Sequence, residues 1–186
     1  MGSSVFPAPA AGISVADGNA AGWGATATGD TTWTLISTQT GNSSTNIMDF
    51  TSLSGYKKYR LVGAVITNST NQPGIVKVNN DTNAIYNWHG VQTSSSTNSN
   101  LNGRAFTTFE PFGYFSANNG SFQLTIEQAN LSGVKPVFGS STFYDGAEYS
   151  RTFTGEIRLL SAITSIRFYT GAGVISGGSV SLYGGN

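Results

Sequence analysis

The chain has no cysteine among its 186 residues and one histidine, and only 10% of its residues are charged. Without Cys there are no disulfides, thiolate metal sites or thiol nucleophiles. With one imidazole, His89, a zinc site lacks the several His or Cys ligands it normally needs. His89 would also have to be the base of any Ser/His/Asp relay, and no G-x-S-x-G turn presents a nucleophile to it. Charge is less than half the usual share, and nine basic and nine acidic residues balance to a net charge of zero. No basic run exists to neutralise phosphates, so nucleic acid is not an expected partner. No apolar stretch approaches the ~20 residues that span a bilayer, so membrane insertion is not expected. The opening residues carry no cationic segment followed by an apolar run, so no signal peptide is expected.

Ser, Thr, Asn and 24 Gly take the place of the missing charge, beside 11 Phe and 8 Tyr. Disordered chains are poor in aromatics and rich in net charge, so this chain is expected to fold. Its length suits one domain with an appendage. A neutral polar surface lacks like-charge repulsion, which suits close packing in an assembly.

Residues 1–22 read as a flexible arm, stiffened by Pro7 and Pro9 and otherwise made of small residues. Val5, Phe6, Pro7 and Ile13 are its candidate docking anchors. Residues 23–186 read as a single β-sandwich domain. Thr31 to Thr38, TTWTLIST, is β-branched and aromatic. Tyr59 to Thr67, YRLVGAVIT, is apolar on both alternating faces and predicts a strand covered on both sides. In Ser121 to Glu127, SFQLTIE, the alternation points Phe122, Leu124 and Ile126 inward. EIRLL, TSIRFYT and GSVSLYG repeat it, with Arg158 and Arg167 on the wet face. Turn chemistry separates these runs, and the one helical turn expected lies near Ile47 to Leu53. The fold class is therefore all-β: an antiparallel, jelly-roll-like sandwich of about eight or nine strands.

No constellation points to catalysis, and no catalytic residue, cofactor or metal is assigned. The acids Asp17, Asp30, Asp49, Asp81, Glu110, Glu127, Asp145, Glu148 and Glu156 fall mostly in turns or on wet strand faces. A glycoside-hydrolysing pair would require two of them to converge. The oxygen-rich run Asn79 to Asn83 lacks the Gly and distant Glu of a calcium loop. GAGVISGG opens no helix, so its glycines serve a turn rather than a phosphate. The polar stretch Gln92 to Gly103 reads as the longest loop, and with Trp88 it offers a ligand-contact surface through Ser95, Asn98 and Asn100.

Two segments carry a resemblance. IMDFTSLSGYKKYRLVGAVIT, residues 47–67, sets an aspartate-aromatic pair before a Tyr-Lys-Lys-Tyr strand entry, and ITSIRFYTGAGVISGGSVSLYGG, residues 163–185, closes the chain with strand, glycine turn and strand. Together they resemble β-sandwich modules of tailed-bacteriophage virions, found in head decoration or fibre proteins and in tail fibre or tip proteins. The resemblance implies a non-enzymatic virion structural protein, assembled in the host cytoplasm. With one module, an arm and no shaft repeat, a capsid decoration or cement protein or short head fibre is the leading expectation. The implied partners are further copies of itself, with a homotrimer expected, and the major capsid protein or other virion proteins. The alternative is a tail fibre or tail-tip module recognising host surface glycans.

Overall fold

The computed structural model describes residues 33–83, 85–94 and 97–186. Val5, Phe6, Pro7 and Ile13, with the rest of the arm, lie outside them, as does Ser95. Within them the chain forms twelve strands in order: β1 (Trp33–Thr40), β2 (Ile47–Phe50), β3 (Lys58–Asn68), β4 (Gln72–Val78), β5 (Tyr86–Ser94), β6 (Asn98–Phe106), β7 (Tyr114–Phe115), β8 (Gly120–Ile126), β9 (Gly133–Tyr144), β10 (Glu148–Leu159), β11 (Ile166–Thr170) and β12 (Ile175–Gly185). The expected helical turn is corrected: Ile47 to Phe50 is extended and pairs with β11, where Asp49 takes a two-pronged grip from Arg167 at 2.6 and 2.8 Å.

All pairings are antiparallel and build two sheets, ordered β1-β12-β3-β8-β9-β10-β5-β6 and β2-β11-β4-β7. The first four strands of the large sheet and the four of the small sheet follow the double Greek-key path of a jelly roll. The remaining four form two hairpins. β5–β6 is inserted between β4 and β7, β9–β10 between β8 and β11, and both extend the large sheet beyond β8. The expected count of eight or nine strands is corrected to twelve among the described residues, eight in the jelly roll and four in the hairpins.

Alternation places one side of each strand in the interlayer core. Phe122, Leu124 and Ile126 of β8 are buried as the period-2 pattern predicts, and so are Tyr59, Leu61 and Ile66 of β3. The layers meet through aromatic rings. Phe122 of the large sheet stacks on Phe168 of the small sheet with centroids 4.8 Å apart, and Phe112 packs against Phe122 at 4.6 Å. Such pairs add about 0.5–1.5 kcal/mol beyond the area they bury. Gly63, opposite Phe122 on the neighbouring strand, leaves room for that ring: a β-carbon there would lie 2.1 Å from it.

The hairpins overhang the smaller sheet. Residues 107–113 cover part of the overhang, setting Phe109 against Tyr86 and Phe153. Nothing described covers β6, most of which is exposed. The polar stretch read as a loop, Gln92 to Gly103, is largely paired: β5 runs to Ser94 and β6 starts at Asn98. A second correction concerns β3. Its outer side is not covered among the described residues, and Val65 is 54% exposed there on a bulge with positive φ.

Where β9 begins, Lys135 is fully buried, and its ammonium donates to the carbonyls of Leu131, Leu159 and Gly133 at 2.8, 3.0 and 3.2 Å. Three donors meet three acceptors, tying the β8–β9 turn to the end of β10.

Candidate functional site

The outer face of the large sheet is the broadest continuous feature of the described molecule. In-register residues cross it in rows. One runs Val91, Thr152, Ser140, Gln123, Val62, Ser181, Thr38, and the next runs Thr93, Ser150, Thr142, Ser121 and, past the bulge that breaks the β3–β8 register, Ala64, Ser179, Thr40. Neither row carries a charge. These hydroxyls and small apolar groups form a surface without the charged teeth that keep exposed β-structure apart.

Towards β6 the face sinks into a trough lined by His89, Val91, Asn100, Asn102, Thr152 and Thr154. It continues over Asn87, Arg104, Glu156 and Arg158. The Glu156 carboxylate accepts from Asn87 Nδ2 at 2.9 Å and Arg158 Nε at 2.7 Å. These bonds, that from Asn87 foremost, hold its carboxyl below the usual range. A carboxylate held ionised in this way is a poor proton donor at neutral pH.

The other described acids are spread over the fold. Asp49 is paired with Arg167, and Glu110 accepts from the Thr108 hydroxyl. Asp81 closes the turn to Asn83, and Asp145 accepts from Asn71 Nδ2 at 2.8 Å. Among the described residues no group of three or more His, Asp or Glu side chains is placed to hold a metal. The run Asn79 to Asn83 serves the fold instead. Asn79 Oδ1 accepts from the backbone N–H groups of Thr164 and Ser165, at 2.7 and 3.0 Å, and its Nδ2 donates to the Ala162 carbonyl.

The residues read from sequence as one ligand surface do not converge. Trp88 packs inward against the core, level with Gly155 on β10 and Gly103 on β6. Asn98 and Asn100 pair with Thr93 and Val91, positions that alternate to the opposite face of β5. His89 lies exposed on that outer face, opposite Asn102 and Thr154.

Sequence reasoning passed over a second concavity, a cleft of about 550 Å³ between the tip of the β9–β10 hairpin and the β7–β8 turn. Tyr144 pairs with Glu148 across the hairpin end, and Gly146 at φ 74° lets the tip reverse. The next pair along, Phe143 and Tyr149, stacks with centroids 5.3 Å apart and planes at 15°. Arg151 lies 4.9 Å above the Phe143 ring and is anchored by Gln92 Oε1 and the Pro111 carbonyl. Asn118 and Asn119 form the far wall, on a turn closed by the Asn118 N–H donating to Ser116 Oγ at 3.1 Å. The signals available in the sequence are the Asp-Gly of YDGAEY and the Asn-Asn-Gly of ANNG, which mark turns without saying that the two turns lie together. Comparison of the chain with protein-family models, curated proteins and solved structures gave no match.

Proposed function

We propose that the chain is a non-enzymatic structural protein of a tailed-bacteriophage virion, acting as a capsid decoration or cement protein or a short head fibre. The observation that carries this reading is the large sheet. Eight strands wide, it ends in β6, a nine-residue edge whose one charged residue is Arg104 and which no described element covers. Unpaired backbone groups on a long, nearly uncharged edge are a template for another chain. The edge and the neutral rows beside it suit a protein whose work is contact with its own copies and with capsid subunits, and a homotrimer is the proposed assembly. The arm, with Val5, Phe6, Pro7 and Ile13, is the proposed second contact. The two resembling segments support the reading: residues 47–67 supply β2 and most of β3, and residues 163–185 supply β11 and β12, so both belong to the jelly-roll strands.

The test is quantitative mass spectrometry of density-purified particles, with mass photometry of the isolated chain. A fixed ratio to the major capsid protein and a discrete oligomer are expected. A monomeric chain missing from purified particles would refute the reading. A second reading, a tail-fibre or tail-tip module that recognises host surface glycans, is favoured by the cleft beside Tyr144, which aromatic and asparagine residues line together.

A further inference from the structure

The geometry points to the cleft between the β9–β10 hairpin tip and the β7–β8 turn as a binding site for a neutral saccharide. The inference rests on the glycan-recognition reading and deepens it by naming the place and the ligand class. Saccharides offer two kinds of surface: hydroxyls that both donate and accept, and patches of C–H groups that lie flat on an aromatic face. The cleft offers a complement to each.

Tyr144 supplies the platform. It is 41% exposed at the mouth, so part of its ring is open to a ligand. The Tyr149 ring, which also lines the cleft, is fixed by its stack on buried Phe143. On the opposite wall, Asn118 and Asn119 present side-chain amides, each with donor and acceptor atoms that fit vicinal hydroxyls. No hydrogen bond to another described residue occupies these amides.

The charge pattern narrows the class. Glu148 carries the one formal charge among the described lining residues. Arg151 is turned to Gln92, the Pro111 carbonyl and the Phe143 ring. A sialylated or phosphorylated sugar would meet a carboxylate with no free cation, whereas a hexose or N-acetylhexosamine keeps the carboxylate as an acceptor. The volume falls within the roughly 300–1,000 Å³ of small-molecule sites. The site is also held in place before a ligand arrives: Asp145 at the tip is bonded to Asn71, and the far turn is closed on itself. A rigid site loses less entropy on binding.

The experiment is a glycan array of neutral and sialylated oligosaccharides probed with the full-length protein, followed by titration calorimetry with the best binder. The variants are Tyr144→Ala, Tyr144→Phe, Asn119→Ala and, in the separate trough, Asn100→Ala. Circular dichroism checks that each keeps its strand signal. Binding to neutral glycans is expected, weakened about tenfold or more by Tyr144→Ala and by Asn119→Ala, and retained in Tyr144→Phe and Asn100→Ala. Binding that survives both cleft variants and is lost in Asn100→Ala would overturn this site while leaving glycan recognition standing. Binding confined to sialylated glycans would overturn the ligand class, and no binding to any glycan would overturn both the site and the reading beneath it.

Discussion

Replacing Lys135 with methionine is the sharpest probe of how the overhanging β9–β10 hairpin is held to the sandwich. The ammonium is fully buried and donates to the carbonyls of Leu131, Leu159 and Gly133. Hydrogen bonds from a charged donor contribute roughly 1.5–3 kcal/mol each, so the three together come to about 5–9 kcal/mol before any offset. Taking the cation out of water costs several kcal/mol. Water also reaches the turn carbonyls beside exposed Leu131 once the ammonium has gone. Methionine keeps most of the stem's packing. The expected net destabilisation is about 2 kcal/mol, which for a domain of this size lowers the melting temperature by about 4–8 °C. Urea denaturation at pH 7 measures it.

The pH dependence supplies a second readout. Burial pushes the Lys135 pKa below 10.5, so between its folded value and 10.5 the unfolded chain binds more protons than the folded one. This group's contribution to stability therefore rises with pH across that window, and the rise should vanish in Lys135→Met. A variant as stable as the parent would refute the staple, and an alkaline rise that persists in Lys135→Met would show that this lysine is not its source.

Three further outcomes follow from the core. Phe112→Ala removes a ring that touches Phe109, Phe122, Phe153 and Phe168, and chemical denaturation should show a loss of about 3–5 kcal/mol. Gly63→Ala drives a methyl into the Phe122 ring and should cost about 1–3 kcal/mol in the same assay, with Phe122→Leu restoring part of it. Tyr86→Phe leaves the Val78 N–H without its 2.9 Å acceptor and should cost about 1–3 kcal/mol at pH 7. Burial raises the Tyr86 phenol above its ordinary value of 10.0, so its contribution is whole below pH 10 and lost as pH climbs from there towards the folded value. Above pH 10 the variant should therefore lose stability less steeply than the parent. Tyr59 and Tyr169, raised by burial in the same direction, keep the slope from vanishing.

Strands with a core on one side and water on the other were legible in the sequence. In β8, Phe122, Leu124 and Ile126 show their face directly, because alternation records which side meets the second layer. β2 was hidden. Its four residues are too few for a period, and its partner β11 lies more than a hundred residues away in the chain. Gln92 to Gly103 read as a loop for a different reason. Beyond the edge of the smaller sheet β6 has no layer to face, so nothing selects apolar residues at alternate positions. β3 misled in the opposite sense, since Val62, Ala64 and Val65 are apolar on a side that no described element covers. The ligand surface drawn through Trp88, Asn98 and Asn100 failed on parity, because Trp88 faces the core while the two amides share the outer face. Tyr144 and Asn119 line one cleft only because the β9–β10 insertion and the β7–β8 turn of the jelly roll end side by side, a long-range coincidence without a local signature.

A cryo-electron-microscopy map of the parent particle, with this chain located in it, tests the central claim most directly. The account predicts density for the twelve-stranded sandwich repeated on the capsid surface, with β6 or the uncharged rows on the outer face of the large sheet against a neighbouring subunit. Particles complete without that density, or a sandwich touching its neighbours only through the small sheet, would contradict it.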